Sequence, residues 1–248
     1  MTGVERFTHA GATIVAERRG HGDRVYVLVH GIGMGRSVFA DLARQLGDGE
    51  VVMLDLPGYG EAPEPPRVLT MERTADLVAA YLRARVRTPA VVVGHSMGAQ
   101  VALEIAVRHP SVVERIVLVG PTVDPAARTA PRQLGRLLRD IAVESPVVIA
   151  RGAREYLRAG PRLRAKFRAM LVHRPEDVLA RVEVPALVLR GEDDLVAPQA
   201  WCRRVAATIP DGRLAEVAGH GHETMIRDAA PAAGLIRAFA AQSRSTAR

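Results

Sequence analysis

The stretch VVVGHSMGAQ, Val91 to Gln100, sets Ser96 between Gly94 and Gly98, directly behind a run of valines. A β-branched run bounded by glycine reads as a buried strand, and the residues from Met97 to Arg108 repeat their apolar positions at helical spacing. Ser96 then occupies the sharp turn between strand and helix. Glycines two positions to either side remove the side chains that would collide there, and a helix amino terminus stands behind the hydroxyl. A serine hydroxyl is a weak nucleophile until a base takes its proton and donors hold the developing oxyanion. Chance would place G-x-S-x-G in a chain of this composition only about 0.05 times. The plain alternative is an ordinary turn capped by a serine.

Outward from this turn, short apolar runs alternate with helical patterns. Val25–Val29, Val51–Leu54, Val91–Val93, Ile116–Val119 and Ala186–Leu189 read as strands buried on both faces. Val38–Leu46, Met71–Arg85, Met97–Arg108, Gln199–Thr208 and Ala232–Ala240 read as helices, and Ala12–Glu17 as an antiparallel edge strand. The alternation implies an α/β fold, a doubly wound, mostly parallel sheet of about eight strands. From Pro121 to Val184 the rhythm breaks into basic Leu/Ala/Arg-rich stretches punctuated by prolines. Residues 122–181 are therefore expected to form a helical lid over the strand ends, inserted into a core domain of residues 1–121 and 182–248.

The 248 residues, 48% of them hydrophobic, suffice for one sizeable core. No apolar stretch approaches the ~20 residues of a membrane span, so no stable membrane insertion is expected. The amino end lacks the apolar block of a secretion signal, and the single cysteine, Cys202, suits a reducing compartment; both imply a cytoplasmic protein. The formal charge of +7 lies entirely between Thr122 and Arg181, a segment without interleaved aromatics. Nucleic-acid binding is therefore not expected. No histidine has ligand spacing with carboxylates or cysteines, so no metal is expected.

Five motifs together resemble the α/β-hydrolase superfamily: VLVHGIG (Val27 to Gly33), DLPGYG (Asp55 to Gly60), GHSMG (Gly94 to Gly98), LVLRGEDDLVAP (Leu187 to Pro198) and VAGHGH (Val217 to His222). They occur in the family's order of serine, acid, histidine. The resemblance implies a triad with Ser96 as nucleophile. Its G-x-x-D-x-x-x-P pattern runs from Gly191 to Pro198 and selects Asp194 over the adjacent Asp193, which then reads as a solvated turn carboxylate. Asp124, one strand earlier, is a distant third. For the base, His220 and His222 each follow a glycine; the family's spacing to Met225, Ile226 and Phe239 favours His222, with His220 as second choice. The oxyanion hole would be the backbone N–H groups of Ile32 and Met97. Gly58 and Gly60 permit the DLPGYG turn, Tyr59 stands near the site entrance, His30 and His95 orient backbone, and Trp201 and Cys202 are packing residues.

The implied activity is a cofactor-free serine hydrolase that cleaves a carboxylic ester or related acyl bond of a small molecule through an acyl-enzyme. Alternatives are a thioesterase acting on a coenzyme A or acidic carrier-protein thioester drawn by the basic lid, a carbon-carbon bond hydrolase, and a ligand-binding protein on the same scaffold.

Overall fold

The computed structural model describes residues 3–133, 135, 162–226 and 228–242. Eight strands form one sheet: β1 (Gly3–His9), β2 (Ala12–Gly20), β3 (Val25–Val29), β4 (Glu50–Asp55), β5 (Ala90–His95), β6 (Val113–Val119), β7 (Ala186–Gly191) and β8 (Gly212–Val217). Their spatial order is β1-β2-β4-β3-β5-β6-β7-β8. β1 pairs antiparallel with β2, and β2 antiparallel with β4; all other pairs are parallel. The sheet is thus the expected mostly parallel one.

The central strands are buried along their whole length because helices cover both faces. Successive side chains of a strand point to opposite faces, which divides the apolar residues into two cores. Val27, Val29, Val92, Ile116, Leu118 and Val188 pack under helices α2 (Met71–Arg85), α3 (Met97–Arg108) and α5 (Gln199–Thr208). Tyr26, Leu28, Val91, Val93, Val117 and Leu189 pack under α1 (Ala40–Gln45) and α6 (Ala230–Ala240). Helix α4 (Leu163–Val172) joins the first core through Met170, against α3.

Two strands escaped the apolar-run reading. β1 (GVERFTH) is a mostly exposed edge strand with charged and polar residues, and β8 (GRLAEV) is only part-buried at the opposite edge. Neither carries a continuous apolar run, because an edge strand has a neighbour on one side only and its side chains are incompletely covered. Helix α1 is shorter than the periodicity suggests: Arg36–Phe39 form a 3₁₀ turn before it.

After β4 the chain crosses back to place β5 on the far side of β3. The strand order therefore reverses at the β3/β5 pair, and the carboxyl ends of these two strands open a crevice of the kind that holds ligands in open α/β sheets. The turns after β3 and β5 are HGIG and GHSMG. Of the expected lid, residue 134 and residues 136–161 lie outside the described residues. The described remainder contributes 3₁₀ turns at Pro125–Ala127, Pro175–Asp177 and Leu179–Arg181, and helix α4.

Candidate active site

The serine turn is as tight as its sequence demands. Ser96 has φ 54° and ψ −114°, a conformation that L-residues rarely adopt and that costs on the order of 1–3 kcal/mol. Close packing holds it there. A Cβ on Gly94 would stand 2.2 Å from the Gly98 carbonyl oxygen, and one on Gly98 would stand 2.1 Å from that of Val29. Both glycines are thus required for α3 to start against β3 and β5. The Ser96 amide donates to Val119 O at 2.8 Å, which ties the turn to β6.

Met97 opens α3, and the first amide of a helix has no intrahelical acceptor. Opposite it runs the HGIG loop. A Cβ on Gly31 would lie 3.1 Å from Ser96 Cβ and 3.0 Å from His95 Nδ1, so this loop passes directly over the serine. His30 orients it: the Leu56 amide donates to Nε2 at 3.1 Å, which leaves the proton on Nδ1 to be donated to Gly31 O at 2.7 Å. Ile32 follows at once, half-buried at the crevice.

On the other side of β6, Asp194 and His222 meet. His222 Nδ1 donates to Asp194 Oδ2 at 2.9 Å, and the two residues are 4% and 2% exposed. Asp194 Oδ1 accepts the amides of Val196 and Ala197 at 2.8 and 2.7 Å, which spends that oxygen and presents the other to the imidazole. Two glycines make room, and one arginine grips the loop. Gly120, with φ +51°, lies under the pair; a Cβ there would be 2.8 Å from the His222 ring and 3.0 Å from Asp194 Oδ2. Gly191 admits the carbonyls of His220 and Gly221, which a Cβ would meet at 2.1 and 2.2 Å. Arg190, buried and ion-paired with Glu216, donates to the Asp194 carbonyl at 3.2 Å.

The alternatives go elsewhere. Asp193 is exposed, and its amide donates to His220 O at 2.9 Å. His220 is half-buried, with Nδ1 2.8 Å from the carbonyl of Ala218. Asp124 caps the turn at Pro125–Ala127 through the Ala126 amide and faces Arg204 at 3.5 Å. Trp201 is buried and donates to Pro121 O at 2.9 Å.

His95 links the two halves. It is fully buried beside Ser96, its Nε2 donates to the His222 carbonyl at 3.1 Å, and the ring centroids are 4.8 Å apart. Burial above all, then the nearby His222, holds its pKa well below the usual histidine value of 6.5. Its contact with His222, the support of Gly120 and the grip of Arg190 had no sequence signal, because each depends on strands brought together by the sheet.

Beside the turn lies a narrow apolar pocket lined by Leu56, Tyr59, Met71, Met97 and Val101, with Lys166 of α4 at its wall. Lys166 is buried, paired with Glu64 at 2.9 Å, and its ammonium sits 4.4 Å from the Tyr59 ring centroid. Tyr59 hydroxyl donates to Met97 Sδ at 3.6 Å, so its ring forms part of the pocket wall. A larger cavity of about 630 Å³ lies apart from this site, over Glu104 and His173.

Comparisons with known proteins agree with the fold. A family profile described as "Alpha/beta hydrolase family" matches residues 26–238. The chain is 27% identical to a putative carbamate hydrolase, RutD, of Serratia proteamaculans, over 82% of this chain and 85% of that protein. It is 30% identical to the pimeloyl-[acyl-carrier protein] methyl ester esterase of Neisseria meningitidis, over 87% of this chain and 76% of that protein. Among solved structures, the enol-lactonase of Burkholderia xenovorans superposes with a TM-score of 0.82 at 22% identity, covering 96% of this chain and all (100%) of that one.

Proposed function

The chain belongs to the alpha/beta hydrolase family, and from that membership we propose that it cleaves carboxylic esters with Ser96, His222 and Asp194 as its triad. The observation that carries the reading is the buried 2.9 Å bond from His222 to Asp194, set across β6 from a strained serine turn. Nδ1 is committed to the carboxylate, so Nε2 is left to take a proton. Ser96 Oγ attacks the ester carbonyl and passes its proton to His222 Nε2. The amides of Ile32 and Met97 receive the developing oxyanion. Collapse of the tetrahedral species expels the alcohol, which leaves with the proton from His222, and an acyl-Ser96 ester remains. Water then gives a proton to His222 and attacks this ester, releasing the carboxylic acid and restoring the serine. The reaction needs no cofactor.

A relative named as a putative carbamate hydrolase supports a small acyl substrate. A second reading, a carrier-linked or coenzyme A-linked substrate, is favoured by two observations: one relative is named as an esterase of a carrier-protein methyl ester, and residues 122–181, read as the lid, carry a net charge of +7. Steering by that charge makes kcat/KM toward an anionic substrate fall as salt rises, and a flat salt profile removes this reading. We place the enzyme in the cytoplasm; among the described residues no helix is long and apolar enough to cross a membrane.

The test is labelling with a fluorophosphonate, read by intact mass. One adduct on Ser96, lost in Ser96→Ala and His222→Ala and kept in His220→Ala, is expected. Absence of an adduct on folded wild-type protein, or its loss in His220→Ala with retention in His222→Ala, overturns the assignment.

A further inference from the structure

The large cavity lies between α2, α3 and the end of α4, away from the serine turn, and three metal-ligating side chains converge on it. Glu72 stands in the first turn of α2, Glu104 on α3, and His173 immediately after α4. One donor atom from each lies within 4.8 Å of the others. Glu104 and His173 are buried, with side chains 5% and 3% exposed, while Glu72 is half-buried at the cavity edge.

Two features separate this cluster from an ordinary ion pair. First, two carboxylates share a single imidazole, since Glu104 Oε1 already takes His173 Nε2 at 2.8 Å. Of the other groups nearby, Arg174 is engaged by Asp177 at 2.8 Å and Arg168 is exposed, while the Glu72 carboxylate is met by the Thr70 side chain and its own backbone amide, with Arg108 in the vicinity. Second, all three residues line the cavity, which leaves room for an ion beside Nε2, the ring nitrogen that faces Glu104. Nδ1, on the opposite side of the ring, keeps the proton when Nε2 ligates.

We propose that Glu72, Glu104 and His173 form a divalent-metal site, with zinc the first metal to test. One nitrogen and two carboxylates match its preferences, and the cavity leaves a fourth position open to water. Metal–ligand bonds of about 2.1 Å in a tetrahedral site place the donors about 3.4 Å apart, so binding requires the edge residue Glu72 to move inward. The site joins three helices. Binding would clamp α4, whose Met170 carbonyl accepts from Gln100 of α3 and whose Lys166 walls the pocket beside Met97. The proposal is independent of the triad.

Equilibrium dialysis of the full chain with Zn²⁺, read by elemental analysis, tests it, with Co²⁺ absorption as a second signature. One zinc per chain is expected, with affinity reduced roughly tenfold or more in His173→Ala and in Glu72→Gln, and unchanged in Ser96→Ala. Glu72→Gln is isosteric and half-exposed, so it keeps the fold if His173→Ala does not. Tetrahedral Co²⁺ bands that vanish in Glu72→Gln add support. Absence of stoichiometric binding at micromolar zinc, or binding that survives in folded Glu72→Gln and His173→Ala alike, overturns the site.

Discussion

Replacing Asp194 by Asn tests the proposed mechanism through a single proton. The Asp194 oxygen that accepts the Val196 and Ala197 amides cannot be exchanged for an NH₂ group, because two buried donors would then face a third. Leaving those donors unpaired costs about 1–3 kcal/mol each, so the asparagine keeps its oxygen there and turns its NH₂ toward His222 Nδ1. Nδ1 must then accept, which drives the imidazole proton to Nε2 and disables it as a base. The equivalent change in the general Ser-His-Asp template lowers kcat by about 10⁴, or about 5.4 kcal/mol of transition-state stabilisation. We expect a loss of that order in kcat/KM for p-nitrophenyl butyrate at pH 7.5, with a matching fall in fluorophosphonate labelling. Asp193→Asn, at an exposed carboxylate one residue away, is the control and should stay within about twofold. A loss of less than tenfold in a folded Asp194→Asn protein would refute the assignment of the acid and the proton logic with it.

Three further outcomes follow from the geometry. Ser96→Gly removes the Cβ strained at φ 54° and should raise the melting temperature by about 2–4 °C, from about 1 kcal/mol gained, while abolishing esterase activity; an unchanged or lower melting temperature argues against strain at the turn. His95 is held neutral by burial, so below its ordinary pKa of 6.5 the unfolded chain binds a proton that the folded one refuses. Stability should fall with acid by up to about 1.4 kcal/mol per pH unit between pH 6.5 and 5, and denaturant titrations of His95→Gln should show a correspondingly shallower dependence. Cys202 is buried and its thiol pushed up to about 12, chiefly by that burial, so a disulfide reagent at pH 8 should detect no thiol in native protein and one after denaturation.

The amino-acid sequence by itself determined the alternation of buried strands and helices, the serine turn and the glycines around it. These are local matters: a strand buried on both faces must be apolar throughout, and a turn this tight excludes a Cβ two residues to either side. The order of the motifs pointed to the family for the same reason. The edge strands β1 and β8 were illegible as apolar runs because an edge needs none, and part of the expected lid lies outside the described residues. The partnership of His222 with Asp194 was another matter. Gly-His occurs twice on one loop, two residues apart, and only the tertiary structure decides which imidazole faces the acid. It does so because Gly191 lets the loop pass close to β7, and Gly120 leaves space beneath one ring, while His220 is left half-buried against its own backbone. His95 and the cluster of Glu72, Glu104 and His173 belong to the same class. Their members lie far apart in the chain, and only packing of the helices and strands puts their atoms within reach.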